Sequence, residues 1–414
     1  MLTEFKPVLK NKNFLYIWAS QILSQLTISI MNFVFLIKLF EVTGSPISTS
    51  FLWVAYSLPA MLIGPFASAV TDFTDKRKML YITNLLQALI VFLYGIFQNA
   101  NIFVIYEVVF IYSLLNQFYI PSEAATLPAV LNKDQLAHGN SLFFITQQGS
   151  LVVGFALAGL LNTFLGFNHT LLVCSFLLFI AFISTLLLPK LSTTNAIPEK
   201  FETAVFEFFK HIGDGYDFIK SKRTVLTPIL LLIGFQVVLQ VIVVQVPAFA
   251  QGILSIPLNA AGIYILVPAG IGAIVGALYI PRLIKKWERK KTVIDRSLIT
   301  IGISFLLLLS VVPFFGYWER IILSFILLAL VGFSFVGIVI PSNTFLQEST
   351  PEELRGMVFG NFSFLVIVIS VLPVVFSGSL VEIFGIRFLL FILSLGSIAV
   401  FIISRKFGDR FISG

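Results

Sequence analysis

The sequence predicts an all-α membrane protein with twelve transmembrane helices in two six-helix halves, and three observations carry that expectation. Of its 414 residues, 58% are hydrophobic and 11% charged, with a mean hydropathy of +0.99, whereas ordinary soluble domains are about 25% charged. Apolar runs long enough to cross a bilayer core, about 20 residues each, recur twelve times along the chain. All but three of the 27 Lys and Arg residues fall on one side of those runs, the bias that orients membrane helices. Such a composition excludes a soluble enzyme, a disordered chain and a nucleic-acid binder. The net charge of +7 is therefore a topology signal.

The spans fall near 14–40, 48–71, 79–98, 102–121, 141–165, 169–188, 225–250, 259–281, 293–313, 319–341, 357–381 and 386–404. Polar or turn-forming stretches separate them, among them EVTGSP, TDFTDKRK, LGFNH, KKWERKK and QESTPEELR. The first span is too long for the core of a signal peptide and no small-residue cleavage site follows it, so it is expected to be retained. With the N-terminus inside, only Lys38, Arg320 and Arg387 lie on the outer side. Both termini are then cytoplasmic.

The longest hydrophilic stretch, about 190–223, divides the spans six and six, giving halves 1–189 and 224–414. Within it Phe201, Val205, Phe208, Phe209 and Ile212 recur at helical spacing. Two readings stand side by side: an amphipathic helix on the inner membrane surface, or a plain linker. The halves also repeat. IPSEAATLPAVLNKDQLAHGN follows the fourth span and IPSNTFLQESTPEELRGMVFGN the tenth, with Pro121 and Pro341 at matching places. Six spans per half keep such copies parallel in the membrane.

Several residues stand out as carriers of mechanism. Polar side chains are costly in hydrocarbon and so mark either a pathway or interhelical contacts. Gln21, Gln25 and Asn32 lie within about 40° of each other at 100° per residue. Gln236 and Gln240 occupy the seventh span, the first span's counterpart, and Asn116 and Gln117 the fourth. These amides either line a cavity or join helices. Glu107 is the carboxylate most deeply set within a span by position, which makes it the expected proton-coupling group if its site is dry. Lys38 is expected to snorkel outward, towards Glu41. No phosphate-cradling Gly-x-x-x-x-Gly-Lys loop is present, so nothing points to an ATP-driven pump. The single Cys174 excludes an internal disulfide and a Cys-based metal cluster, and the three His residues leave little for a metal site.

The opening FLYIWASQILSQLTISIMNFVFLIKLFEVTGSP, followed by SLPAMLIGPFASAVTDFTDKRKML, resembles the start of major facilitator superfamily transporters. It is most similar to the branch of macrolide exporters and the enterobactin exporter. The stretches PSEAATLPAVLNKDQLAHGNSL and TPEELRGMVFG extend that resemblance over nearly the whole chain. The resemblance implies that the loop between the second and third spans gates the cycle, through Asp72 and the basic residues behind it, notably Arg77. Ser68, Phe73 and Asp75 depart from the family's pattern there, and Glu123 could complete a charge relay with Arg77 and Asp72. It also implies an antiporter signature in the fifth span. There Gly149, Gly154 and Gly159 are kept but Phe155 replaces the expected Pro, so close helix packing is an equal reading. The first, fourth, seventh and tenth helices are then expected to line the cavity.

The function expected on these grounds is not enzymatic. It is secondary transport in a bacterial inner membrane: proton-driven efflux of a hydrophobic or amphipathic small molecule, by a monomer without cofactor or bound metal. Movement of a lipid-like or siderophore-like metabolite in either direction is the alternative within transport. A transport-dead receptor or scaffold is the alternative outside it.

Overall fold

In the computed structural model, residues 2–97, 101–190, 210, 213, 216–217, 219–287 and 290–407 are described. Among them the regular structure is helical, with no strand. The expected amphipathic segment, with Phe201, Val205, Phe208, Phe209 and Ile212, lies outside the described residues.

The helices are α1 (Leu2–Leu9), α2 (Lys12–Thr43), α3 (Pro46–Phe73), α4 (Lys76–Ile96), α5 (Phe103–Val130) and α6 (Lys133–Leu186), followed by α7 (Arg223–Val244). After short turns over 246–266 come α8 (Val267–Trp287), α9 (Lys290–Ser310), α10 (Tyr317–Ser349), α11 (Glu352–Phe384) and α12 (Ile386–Phe407). Eleven helices among the described residues are long and apolar enough to cross a membrane. One of them, α6, has 54 residues, about 80 Å if straight at 1.5 Å per residue, and is long enough to cross twice. Gly166, at φ 77° and ψ 171°, breaks it within the LGFNH stretch. A side chain would be strained at that φ, which is why the break falls on glycine.

The ends of the helices follow local chemistry. Gly44 (φ 62°) closes α2, its N–H donating to Phe40 O at 2.8 Å, the usual left-handed helix stop. Pro46 then opens α3, where its missing N–H costs nothing. Asp75 caps α4 by accepting from the backbone N–H groups of Arg77 and Lys78. The short α1 was not foreseen in the sequence. Its Val8 joins Phe14, Leu127 and Leu131 in a small core, which holds a helix too short to persist alone.

The chain forms two compact units. Unit 1 comprises Met1–Lys38 and Val54–Phe208; unit 2 comprises Leu39–Trp53 and Phe209–Gly414. The tip of the α2–α3 hairpin thus packs in unit 2, although by chain order it belongs to the first half. In unit 1, α4 packs along α6 and α5. In unit 2, α8 packs along α10, and α9 along α10 and α12. The α8–α10 contact is backbone on backbone. A Cβ on Gly272 would overlap Ala329 O, and one on Gly332 would overlap Ala269 O. Small residues at a membrane helix crossing allow this approach. Ile219 anchors the end of the inter-half segment to unit 2, buried with Val225, Ile229, Leu346 and Val358.

Candidate functional site

The amide face of α2 enters unit 1 unevenly. Gln21 is 4% exposed, and its Nε2 donates to Phe143 O on α6 at 3.1 Å, while its Oε1 is buried without a partner. Gln25 and Asn32 are half-buried. One turn before Gln21, Trp18 Nε1 donates to Thr146 Oγ1 at 2.8 Å, so α2 and the first arm of α6 are joined twice. Gly154 lets them close further on: a Cβ there would lie 2.5 Å from Ser29 Cβ. Gly159 is buried, and Gly149 has open space where its Cβ would be.

On α5, Asn116 bonds the Tyr56 hydroxyl and Ser113 Oγ donates to Tyr56 O at 2.5 Å, so this pair of residues ties α5 to α3. Gln117 is half-buried and donates to Ser113 O within its own helix at 3.1 Å. Asn116 is thus an interhelical tie, whereas Gln117 makes no such tie through its amide nitrogen. Gln236 and Gln240 are half-buried on α7.

A directed hydrogen-bond chain lies between α2, α4 and α5, and sequence reasoning missed most of it. Ser24 Oγ donates to Asn84 Oδ1 (3.3 Å), and Asn84 Nδ2 to Ser20 Oγ (3.0 Å). Ser20 Oγ lies 3.0 Å from Tyr119 Oη, which donates to Glu123 Oε1 at 3.0 Å. Because Tyr119 spends its proton on Glu123, Ser20 must donate to Tyr119. Every donor then points the same way, and the chain ends on the carboxyl group. Ser20 and Asn84 are fully buried, and Tyr119 and Glu123 nearly so. Hydrogen bonds aligned head to tail in a low dielectric polarise and strengthen one another. The available sequence signal was local: Tyr119 stands four residues before Glu123, the spacing that places two side chains on one helix face.

The loop between α3 and α4 is the expected place of the relay. Arg77 Nη2 donates to Leu186 O, at the end of α6, at 2.5 Å, placing a cation where a helix end exposes carbonyls. Arg77 Nε is buried without a partner. Arg77 thus bonds Leu186 O while Glu123 accepts from Tyr119, so the two are engaged separately in this structure. The side chain of Asp72 lies outside the described residues. Asp75, which departs from the family pattern, serves as the α4 cap. Glu107, five residues into α5, is exposed. Lys38 does not pair with Glu41; its Nζ lies over the Phe167 ring, 5.4 Å from the centroid.

In unit 2 the most buried amide is Gln245, 1% exposed, which sequence reasoning also passed over. Its Nε2 donates to Ser50 Oγ (3.1 Å) and Ser377 Oγ (3.3 Å), and its Oε1 has no partner. No group of three or more His, Cys, Asp or Glu among the described residues could hold a metal ion.

The sequence model of the Major Facilitator Superfamily matches residues 17–372. The chain belongs to that superfamily. It is 24% identical over 389 residues to the uncharacterized MFS-type transporter YfmI of Bacillus subtilis, covering 91% of this chain and 92% of the relative. It is 22% identical over 354 residues to macrolide efflux protein A of Streptococcus pyogenes, covering 84% of each. Among solved structures, the nucleoside transporter NupG superposes with a TM-score of 0.70 at 17% identity, covering 94% of this chain and 97% of NupG. At that identity the likeness speaks for the fold alone. The protein is a membrane transporter and not an enzyme, as its superfamily and its apolar helices require.

Proposed function

We propose that this chain exports a hydrophobic or amphipathic small molecule across the cytoplasmic membrane in exchange for protons. It acts as a monomer by alternating access, with both termini in the cytoplasm. The observation that carries the reading is the buried chain Ser24–Asn84–Ser20–Tyr119, which ends on the Glu123 carboxyl. A transporter places an ionisable group inside its helices at a cost of about 2.5–3.5 kcal/mol on insertion scales, and such groups mark proton or substrate paths. Glu123 is the coupling group in this reading. Glu107, exposed near the start of α5, is less sheltered by neighbouring helices and takes second place to Glu123 in this reading.

The ligand-lining amides of this reading are the half-buried Gln25, Asn32 and Gln117 in unit 1 and Gln236 and Gln240 in unit 2, together with the more buried Gln21 and Asn116. Few polar groups among many apolar ones suit an amphipathic ligand. Asp72, Arg77 and the close packing at Gly154 and Gly159 serve the gate. The name of the macrolide efflux relative supports the export direction. Reconstituted vesicles with an imposed pH gradient, screened against macrolides, other amphipathic drugs and lipids, test the proposal. Accumulation of a drug on the acidic side supports it. Drug movement that ignores the gradient overturns proton exchange, and no movement of any compound favours a receptor on the same fold.

A further inference from the structure

Several polar ties in unit 1 end on a backbone carbonyl. Gln87 Nε2 donates to Tyr112 O, Ser175 Oγ to Ala88 O and Gln21 Nε2 to Phe143 O. A carbonyl only accepts, so the direction of such a bond is fixed. The chain from Ser24 to Glu123 is built differently. Its four links run from Ser24 to Asn84, Asn84 to Ser20, Ser20 to Tyr119 and Tyr119 to Glu123. They join hydroxyl, amide and carboxyl groups, each able both to donate and to accept once the carboxyl carries a proton. Ser20 and Asn84 are fully buried, and Ser24, Tyr119 and Glu123 nearly so, so a link left unmade is costly. The fold itself does not demand the chain. In the repeat register of Pro121 and Pro341, Val339 and Asn343 of α10 stand where α5 has Tyr119 and Glu123.

We infer that Asn84 is a pivot: its side-chain amide turns over when Glu123 takes up a proton, so that the chain reverses and carries the charge state of Glu123 to Ser24 on α2. The inference rests on the coupling role given to Glu123. An ionised carboxylate only accepts. It obliges Tyr119 to donate to it, Ser20 to donate to Tyr119 and the Asn84 nitrogen to donate to Ser20, which leaves the Asn84 oxygen to face Ser24. That is the arrangement in the structure. A proton on Glu123 Oε1 reverses each step. Glu123 donates to Tyr119, Tyr119 to Ser20, and Ser20 to Asn84, which must now present its oxygen there and its nitrogen to Ser24. Ser24 accepts, and its own proton turns to Ser20 O one turn back, the kind of bond that Ser29 Oγ makes with Gln25 O at 2.9 Å. No O–H bond within the chain breaks. Hydroxyls rotate and one planar amide turns, so all four links are kept in both states without a shift of any helix, and aligned links support one another in either direction. Asn84 is thereby a positioning residue, which joins protonation on α5 to the helix that bears Gln21 and Gln25.

Other charged or titratable groups stand at this end of unit 1. On α4 Lys76 is buried and Arg77 donates to Leu186 O. On α2 Tyr16 packs in the same core as Tyr119, and on α6 the His138 ring meets Phe5. The side chain of Asp72 lies outside the described residues. Glu123→Gln separates the proton on Glu123 from any of these.

The test is infrared difference spectroscopy between high and low pH, on the full-length chain in lipid nanodiscs with isotope-labelled asparagine. Acidification should bring up a protonated-carboxyl band that Glu123→Gln removes, and should shift an asparagine amide band that Asn84→Leu removes. The two should titrate together. Tyr119→Phe, which cuts the chain, should keep the carboxyl band and lose the asparagine shift, a response that a purely structural amide would not give. A Glu123 band without an Asn84 shift, or an Asn84 shift that survives Tyr119→Phe, overturns the pivot and leaves the coupling role of Glu123 standing. No Glu123 band at any pH overturns both. If Asn84→Leu does not fold, Asn84→Ser, which keeps a hydroxyl in the chain, assigns the amide band in its place.

Discussion

Tyr119 and Glu123 sit one turn apart on α5, and the Tyr119 hydroxyl donates to Glu123 Oε1 at 3.0 Å at the end of a chain of donors that all face the same way. The carboxyl group is therefore a terminal acceptor. Its role turns on whether it carries a proton in one state and not in the other.

Glu123→Gln keeps an oxygen that can accept from Tyr119 but removes the exchangeable proton. Drug transport driven by a pH gradient should fall by about 5–150-fold, the range set by common coupling free energies. Drug binding should stay close to wild type. Paired flux and binding measurements on vesicles check this, and unchanged proton-driven flux would remove Glu123 from the coupling path.

Gln21→Leu and Gln25→Leu separate the ligand-lining role from the structural one. Interhelical hydrogen bonds in membrane proteins average roughly 0.6 kcal/mol, so losing the Gln21–Phe143 bond should barely change stability. Altered substrate affinity or range is the expected outcome, measured by competition binding. Lower yield with unaltered affinity would assign both residues to packing.

Gly332→Ala should destabilise unit 2, because the added methyl overlaps Ala269 O and no flexible side chain can move aside. Overpacking typically costs about 1–3 kcal/mol, and a backbone atom as the obstacle puts this case at the upper end or beyond. Thermal unfolding in detergent gives the comparison, with Gly396→Ala, whose Cβ position is open, as the matched control.

The expected topology is open to labelling. A cysteine at Ser192 should react with a membrane-impermeant thiol reagent only after cells are opened. Reaction in intact cells would invert the assignment based on the basic residues.

The spans were legible because lipid imposes length and hydropathy on every crossing helix, and the LGFNH break was legible because Gly166 is the residue that can take its φ of 77°. The site was legible only by residue type. Glu123 was visible as an acid near the loop expected to gate the cycle, but Ser20 and Asn84, linked to it through Tyr119, come from two other helices, and no spacing along the chain brings them together. Gln245 was hidden for a related reason. Its bonds go to Ser50 and Ser377, and only tertiary packing decides which of many serines meets an amide. The docking of Leu39–Trp53 in unit 2 ran against chain order, which is the one guide to grouping that a sequence offers.

The glycine contacts between α8 and α10 have a mechanical meaning. Each glycine rests on the carbonyl three residues before the other, so the two helices mesh like keyed shafts. Turning either about its own axis would drive a side chain into the other's backbone, and sliding either along its length would do the same. The pair therefore travels as one girder. Any flexing inside unit 2 must be taken up elsewhere, and the π-helical turns Ala250–Leu254 and Gly262–Leu266, with their looser winding, are where the backbone has slack to give.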